Sequence, residues 1–339
     1  MQKICILGAG SWGTAQATLL SRNAARVDLW GRPEDGIDSL KNNRENQRFL
    51  PGVKLADNII PGTDLEEALR DAEIVVLAVP SQTLRSVSAL IKPVLPENAI
   101  VVNTAKGLEI DSGMRLSQVI QEVLGEQIRS RFAVLSGPSH AEEVAREVPT
   151  AVTVAAFQDT TAFQIQDAYM SPVFRVYTNP DMAGVELGGA LKNIIALASG
   201  IVDGLGYGDN TKAALLTRGL TEIIRLGEAM GGNPRTFSGL SGLGDLVVTC
   251  SSRYSRNRQA GELIGQGFTL DEALQEVGMV VEGAYTTRVA YQLANIMKVD
   301  MPIITACYRT LYEDRPAHEG IKILMTRRKK HEIEEIAEN

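Results

Sequence analysis

The chain has 339 residues, beyond the size at which one core usually keeps growing, and 44% of them are hydrophobic, so two well-filled domains are expected. A formal net charge of −7 argues against general nucleic-acid binding but leaves room for a local basic pocket that takes a phosphorylated metabolite. Cys5, Cys250 and Cys307 have no metal-type or paired spacing, and His140, His318 and His331 form no ligand motif, so free buried thiols in a reducing cytosol and no metal are expected.

Residues 3–7 read as a buried strand that runs directly into Gly8-Ala9-Gly10-Ser11-Trp12-Gly13 and then into a helical pattern. In this spacing the first glycine permits the tight turn and the second lets backbone N–H groups approach a pyrophosphate. The third lets the helix pack closely on the strand, and the helix start faces the anion. Strand, turn and helix together make a dinucleotide-binding signature. The next strand, 26–30, ends in Gly31-Arg32. An acid at that point accepts hydrogen bonds from the ribose of NAD and repels a 2′-phosphate, whereas a guanidinium pairs with one. Arg32 therefore favours NADPH over NADH, and nearby Glu34 argues the other way.

Further strands are expected at 74–79, 100–103, 132–135, 151–155 and 174–177, separated by helices at 65–70, 83–91 and 114–124. Such alternation predicts an α/β fold, a mostly parallel, doubly wound sheet covered by helices on both faces. The longest unbroken apolar run, around 74–79, is far too short to cross a bilayer, and the N-terminus lacks a signal-peptide pattern. A soluble cytoplasmic protein with no membrane association is expected. After Pro180 the β-rich runs stop, and helices are expected at 185–199, 212–230, 258–264, 270–276, 284–295 and 303–311. The expected division is a dinucleotide-binding domain at 1–180 and a helical substrate domain at 181–339. The stretch 327–338, basic and then acidic, reads as a solvated, fraying helix.

Ligands of a doubly wound sheet bind beyond the C-terminal ends of its strands. Two such loops stand out. Thr104-Ala105-Lys106-Gly107 places a cation there, and Ser136-Gly137-Pro138-Ser139-His140-Ala141 offers N–H groups at a helix start, with Ser139 as its expected cap. A solvated lysine and an ordinary turn are the plain alternatives. In the helical half, Lys192 lies among Leu187, Leu191, Ile194, Ile195 and Leu197. Its stem either snorkels or carries a buried amine suited to acid–base work, and Gly188-Gly189 suggests close approach by another segment or a ligand. Desolvation plus a neighbouring Lys106 would cost the charged form about 3 kcal/mol. Asp245, alone in a glycine-rich apolar stretch, needs a partner, for which a buried lysine is suited. Ser255-Arg256-Asn257-Arg258 before a helix suits a phosphate, or is a solvated polar loop.

GAGSWGTA at 8–15, NTAKGLE at 103–109, SGPSHAEEVA at 136–145, GVELGGALKNIIA at 184–196, GLGDLVVTC at 242–250 and SRNR at 255–258 resemble, in this order, the bacterial glycerol-3-phosphate dehydrogenases. The likeness runs from residue 3 to about 325. It implies an N-terminal Rossmann-type domain, an all-helical C-terminal domain of the 6-phosphogluconate-dehydrogenase-like class, and an active site between them. It also implies a homodimer and reversible hydride transfer between NADH or NADPH and dihydroxyacetone phosphate, giving sn-glycerol 3-phosphate for glycerophospholipid synthesis. By the same resemblance Lys192 transfers the proton with Lys106 and Asp245 beside it. Gly137, Ser139, Ser255, Arg256 and Asn257 complete the substrate site. The dinucleotide would be held by Gly8, Gly10, Ser11, Trp12, Gly13, Arg32, Lys106, Ala141, Arg256, Val280 and Glu282. Gln16 departs from the leucine usual in the family's first helix. The β-hydroxyacid dehydrogenases share the domain pair and a catalytic lysine but usually carry asparagine four residues after it, where this chain has Ala196. A non-catalytic NADPH sensor would have little reason to keep Lys106, Lys192 and Asp245 together.

Overall fold

The structure, a computed structural model, describes residues 2–329 together with His331 and Glu332. Eight strands form one sheet: β1 (Lys3–Leu7), β2 (Arg26–Trp30), β3 (Ile59–Gly62), β4 (Ile74–Leu77), β5 (Ile100–Asn103), β6 (Phe132–Ser136), β7 (Thr150–Ala156) and β8 (Phe174–Asn179). Their order is β3-β2-β1-β4-β5-β6-β7-β8, and every neighbouring pair is parallel except β6 and β7. The first six follow the doubly wound order, with the reversal between β1 and β4 that opens a crevice above their C-terminal ends.

Alternate side chains feed two cores. Ile4 and Ile6 join Val27, Leu29, Val76 and Val102 on one face, while Cys5 and Leu7 join Val75, Leu77 and Val101 on the other. Strands buried on both faces read as continuous apolar runs, which made most of them visible in sequence. Strand β3 was not expected because Pro61 and Gly62 signal a turn. At the sheet edge a proline leaves no ladder bond broken. The antiparallel entry of β7 was not foreseen either, since its composition matches that of its parallel neighbours.

Beyond Asn179 no strand occurs among the described residues. The central helix, Met182–Gly204, begins after Pro180, and the Asp181 carboxylate accepts hydrogen bonds from the backbone N–H of Gly184 at 2.9 Å and of Asn233 at 2.8 Å. These bonds satisfy donors that a helix start leaves free. By length and composition this helix could span a bilayer, but its apolar window lies wholly within the protein. It packs against the helices Asp209–Ala229, Asp245–Ser251, Arg256–Gly265 and Glu282–Met297. Helices at Asp159–Tyr169 and Ala317–Met325 were absent from the sequence reading. Of the stretch 327–338, Arg327 pairs with Asp300 at 2.7 Å, and residues 330 and 333–338 lie outside the described residues.

A buried carboxylate joins the two halves. Glu186, early in the central helix, accepts from the backbone N–H of Ser117 at 2.7 Å, from its hydroxyl at 2.6 Å and from Arg115 at 2.5 Å. It thereby caps the helix Leu116–Leu124 from the helical half. Gln16, the departure noted above, lies in a buried chain in which Tyr169 donates to it at 2.6 Å and it donates to Thr104 at 3.1 Å, so no polar atom is stranded there.

Candidate active site

The glycines of the first loop do different work. Gly8 has φ +114, and a Cβ there would sit 2.6 Å from the Ala78 carbonyl oxygen. A Cβ on Gly13 would sit 1.8 Å from the Gly8 carbonyl oxygen, so strand and helix need both. A Cβ on Gly10 would meet nothing within 4 Å. It would instead fill the open space at the start of the helix Ser11–Leu20, where N–H groups and helix dipole suit a pyrophosphate. Ser11 donates its hydroxyl to the Phe49 carbonyl at 2.6 Å, and Trp12 packs with Ala15, Leu50 and Ala141. Arg32, at the end of β2, is not a lone charge. It contacts Asp35 through Nε at 3.2 Å and Nη2 at 3.0 Å, and Glu34 at 3.4 Å.

Beyond β5 and β6 the crevice meets the helical half. Lys106, after β5, donates Nζ to the Gly137 carbonyl at 2.9 Å and to Asp245 Oδ2 at 2.6 Å. Lys192, midway along the central helix, donates Nζ to Asp245 Oδ1 at 3.0 Å and to Thr249 Oγ1 at 2.6 Å. Thr249 donates in turn to the Asp245 carbonyl at 2.6 Å. A single carboxylate, 2% exposed, thus holds one lysine on each oxygen. Lys192 is 5% exposed and does not snorkel.

The paired glycines are explained by other chain segments. A Cβ at Gly188 would lie 2.7 Å from the Ser241 carbonyl oxygen, and one at Gly189 would lie 2.5 Å from Ser136 Oγ. Ser241 belongs to a π-helical turn, Leu240–Gly244, directly before Asp245. The wider turn lets Asp245 enter at the first residue of its helix, Asp245–Ser251.

Burial pulls the Lys192 amine down to about 8, against the upward pull of Asp245, and Lys106 adds to the lowering. For Asp245 burial pushes upward, but the two lysines outweigh it and hold the carboxyl below its ordinary value. Two cations on one anion leave a net positive, water-poor pocket suited to an anionic ligand or to oxygen charge developing during reaction. His140 faces the same group. Burial, then the Lys192 charge, lowers it to about 4, so it is neutral at pH 7, and its buried Nε2 has no partner among the described residues.

The 255–257 group divides on inspection. Ser255 Oγ accepts the Arg258 N–H at 3.2 Å as the cap of the helix Arg256–Gly265. Asn257 donates to Asn193 Oδ1 at 2.9 Å and accepts the Gly283 N–H at 2.8 Å, tying three helices together. Both side chains therefore also hold the helices in place. Arg256 alone is open: half-buried, with no ion pair or hydrogen bond among the described residues, its guanidinium pulled down by burial. Glu282 accepts the Ser81 N–H at 2.9 Å and the Ser81 hydroxyl, forming a second link between the halves, while Val280 is exposed. Ser139 is not the helix cap. It donates to the Gly137 carbonyl at 2.9 Å, and His140 takes the cap position before the helix Ala141–Ala145 without a side-chain bond.

Thr249, Ser81, Asn193 and His140 were not singled out in the sequence as site residues. Thr249 had a usable signal, because it stands four residues after Asp245 on one helix face. Ser81 and Glu282 are 201 residues apart, and no local pattern joins them.

Fold and site together define a Rossmann-type oxidoreductase whose helical half brings a buried lysine to the nucleotide crevice. Two family models match: the N-terminal region of NAD-dependent glycerol-3-phosphate dehydrogenase over residues 3–162 and its C-terminal region over residues 181–322. Glycerol-3-phosphate dehydrogenase (NAD(P)+) of Syntrophomonas wolfei is 67% identical over 336 residues, covering 99% of this chain and 98% of that protein. The protein of the same name from Moorella thermoacetica is 55% identical over 333 residues, 98% of each. The crystal structure of glycerol-3-phosphate dehydrogenase from Coxiella burnetii, 39% identical, matches with a TM-score of 0.91 over 96% of this chain and 99% of that one. A ketopantoate reductase from Ralstonia eutropha, at 14% identity and a TM-score of 0.61, shares the fold alone. The chain belongs to the NAD-dependent glycerol-3-phosphate dehydrogenase family.

Proposed function

We propose that this chain interconverts dihydroxyacetone phosphate and sn-glycerol 3-phosphate with NADH or NADPH, Lys192 being the general acid and base. One observation carries this reading: a buried amine titrating near 8, clamped between Asp245 and Thr249 at the mouth of a nucleotide-binding crevice. The dinucleotide, when bound, supplies the hydride from its nicotinamide C4 to the ketone carbon. Lys192 gives a proton from Nζ to the carbonyl oxygen as that oxygen gains charge, leaving an alcohol and a neutral amine. In the reverse direction neutral Lys192 takes the hydroxyl proton. Lys106, oriented by Asp245 and by the Gly137 carbonyl, stabilises the developing alkoxide as a fixed cation. Arg256 and the N–H groups at the start of its helix take the phosphate, a role supported by the lack of any internal partner for that guanidinium. Gly137, whose carbonyl accepts from both Lys106 and Ser139, and Ser139 itself contribute to the substrate site.

In this reading residues 1–180 hold the dinucleotide and 181–339 the substrate, Arg32 favours NADPH, and a cytoplasmic homodimer supplies glycerophospholipid synthesis. The test supplies purified protein with dihydroxyacetone phosphate and each dinucleotide in turn. NADPH is consumed, and Lys192→Ala abolishes turnover while dinucleotide binding persists. Unimpaired turnover in that variant would remove Lys192 from the chemistry. Light scattering on the eluted protein tests the dimer.

A further inference from the structure

The end of the second strand of a doubly wound sheet faces the adenosine ribose, and here it carries Arg32 and two acids, with a second arginine reaching them from another segment. Arg32 and Asp35 meet through two parallel contacts, Nε to Oδ2 at 3.2 Å and Nη2 to Oδ1 at 3.0 Å. Asp35 Oδ2 also accepts the Arg32 backbone N–H at 3.0 Å. Glu34 reaches the same guanidinium at 3.4 Å, but its side chain is 63% exposed against 21% for Asp35, so Asp35 is the more buried partner and makes the hydrogen bonds. Arg48 arrives from another segment, donates Nη1 to the Glu34 carbonyl at 3.0 Å and lies over the Phe49 ring, 4.7 Å from its centroid. Phe49 in turn accepts from Ser11 of the nucleotide loop. Arg48 makes no salt bridge among the described residues.

A guanidinium binds a carboxylate and a phosphate through the same two-pronged geometry. Asp35 therefore stands where a 2′-phosphate would otherwise bind, and a phosphate that displaces it still lies beside its charge. A ribose hydroxyl meets neither obstacle and finds an acceptor in the carboxylate. Partial burial pushes the Asp35 carboxyl upward, but hydrogen bonds from Arg32 and the charge of Arg48 hold it below its ordinary value, so the competitor stays ionised at neutral pH.

We propose that Asp35 sets the choice between NADH and NADPH in this chain by occupying Arg32, and that Arg48 supplies the second cation for a 2′-phosphate. This rests on the dinucleotide reading of residues 8–13. Arg32 alone would have predicted a firm NADPH preference. With Asp35 on it, that preference is held down.

Asp35→Asn keeps an oxygen for the Arg32 N–H and removes the charge, while Asp35→Glu keeps the charge. Both tryptophans of the chain, Trp12 and Trp30, stand beside the nucleotide loop or at the end of β2, so fluorescence quenching reads binding without turnover. Titrations use NADH, NADPH and adenosine 2′,5′-bisphosphate. Asp35→Asn should bind NADPH and the bisphosphate about three- to fivefold more tightly, the scale of one exposed ion pair, without tightening NADH. Asp35→Glu should stay close to the parent protein, and Arg48→Gln should weaken the bisphosphate several-fold while sparing NADH. An unchanged ratio of NADPH to NADH affinity in Asp35→Asn would overturn the assignment, as would equal weakening of both dinucleotides by Arg48→Gln. If the parent protein quenches with neither dinucleotide, the underlying reading of the glycine loop fails as well.

Discussion

Replacing Asp245 by asparagine removes the carboxylate that two lysines share. At 3.0 Å from Lys192 Nζ, and with an effective dielectric constant of about 20, the attraction lost is about 5.5 kcal/mol. Relaxation and entering water return part of it, but each 1.4 kcal/mol that remains weakens the amine's hold on its proton about tenfold. Burial and Lys106 then act on Lys192 unopposed, and they already hold it at about 8 with Asp245 in place. Ketone reduction uses the protonated amine, so its rate is level at low pH and falls as pH rises through about 8; alcohol oxidation uses the neutral amine and rises through the same value. In Asp245→Asn both inflections move downward, below about pH 7, and reduction at a given pH drops about tenfold for each unit by which the inflection lies below it. The assay is kcat/KM in both directions from about pH 6 to about pH 10, followed by nicotinamide absorbance. An inflection that stays near 8 in the variant would show that Asp245 does not tune Lys192, and the electrostatic account of the site would be wrong.

Arg256→Ala should raise KM for dihydroxyacetone phosphate about tenfold to a hundredfold, the worth of a hydrogen-bonded charge; steady-state kinetics with both ligands varied decides it, and an unchanged KM for dihydroxyacetone phosphate would remove Arg256 from the phosphate site. Gly188→Ala adds a methyl 2.7 Å from the Ser241 carbonyl oxygen, so the π turn that presents Asp245 must shift. A loss of about 1–3 kcal/mol together with lower kcat is expected, whereas a helix gain of about 1 kcal/mol from alanine would refute the close-approach argument. His140 is held at about 4 when folded and returns to an ordinary value near 6.5 when unfolded. The unfolded chain therefore takes the proton first, and stability present above about 6.5 is lost as pH falls towards 4, by up to about 3 kcal/mol. Urea unfolding of His140→Gln should show a flatter pH slope in that window, and an identical slope would exclude His140 as the cause.

Much of the first half is readable residue by residue. The glycine spacing at 8, 10 and 13 encodes local backbone geometry, and strands buried on both faces announce themselves as apolar runs such as Ile100–Asn103. The central helix is legible in kind though longer than its apolar core suggests, because the capping carboxylate of Asp181 carries the helix back to Met182. Less was visible where one residue serves two plausible ends. Ser255 and Asn257 match a phosphate loop in composition, and their side chains also bind a helix start and a neighbouring amide, which composition does not show. Ser139 likewise resembles a cap and instead binds its own loop.

Local chemistry written in consecutive residues thus sufficed for the nucleotide turn, the alternation of strands and helices, and the presence of a lysine too deep in apolar surroundings to be idle. Packing alone brought Lys106 and Asp245 together across 139 positions, put Thr249 on Lys192, and ran β7 against β6. The difference is physical. Backbone preference and hydrophobic period act over a few residues, whereas the charge on a buried amine depends on which distant groups share its low-dielectric pocket.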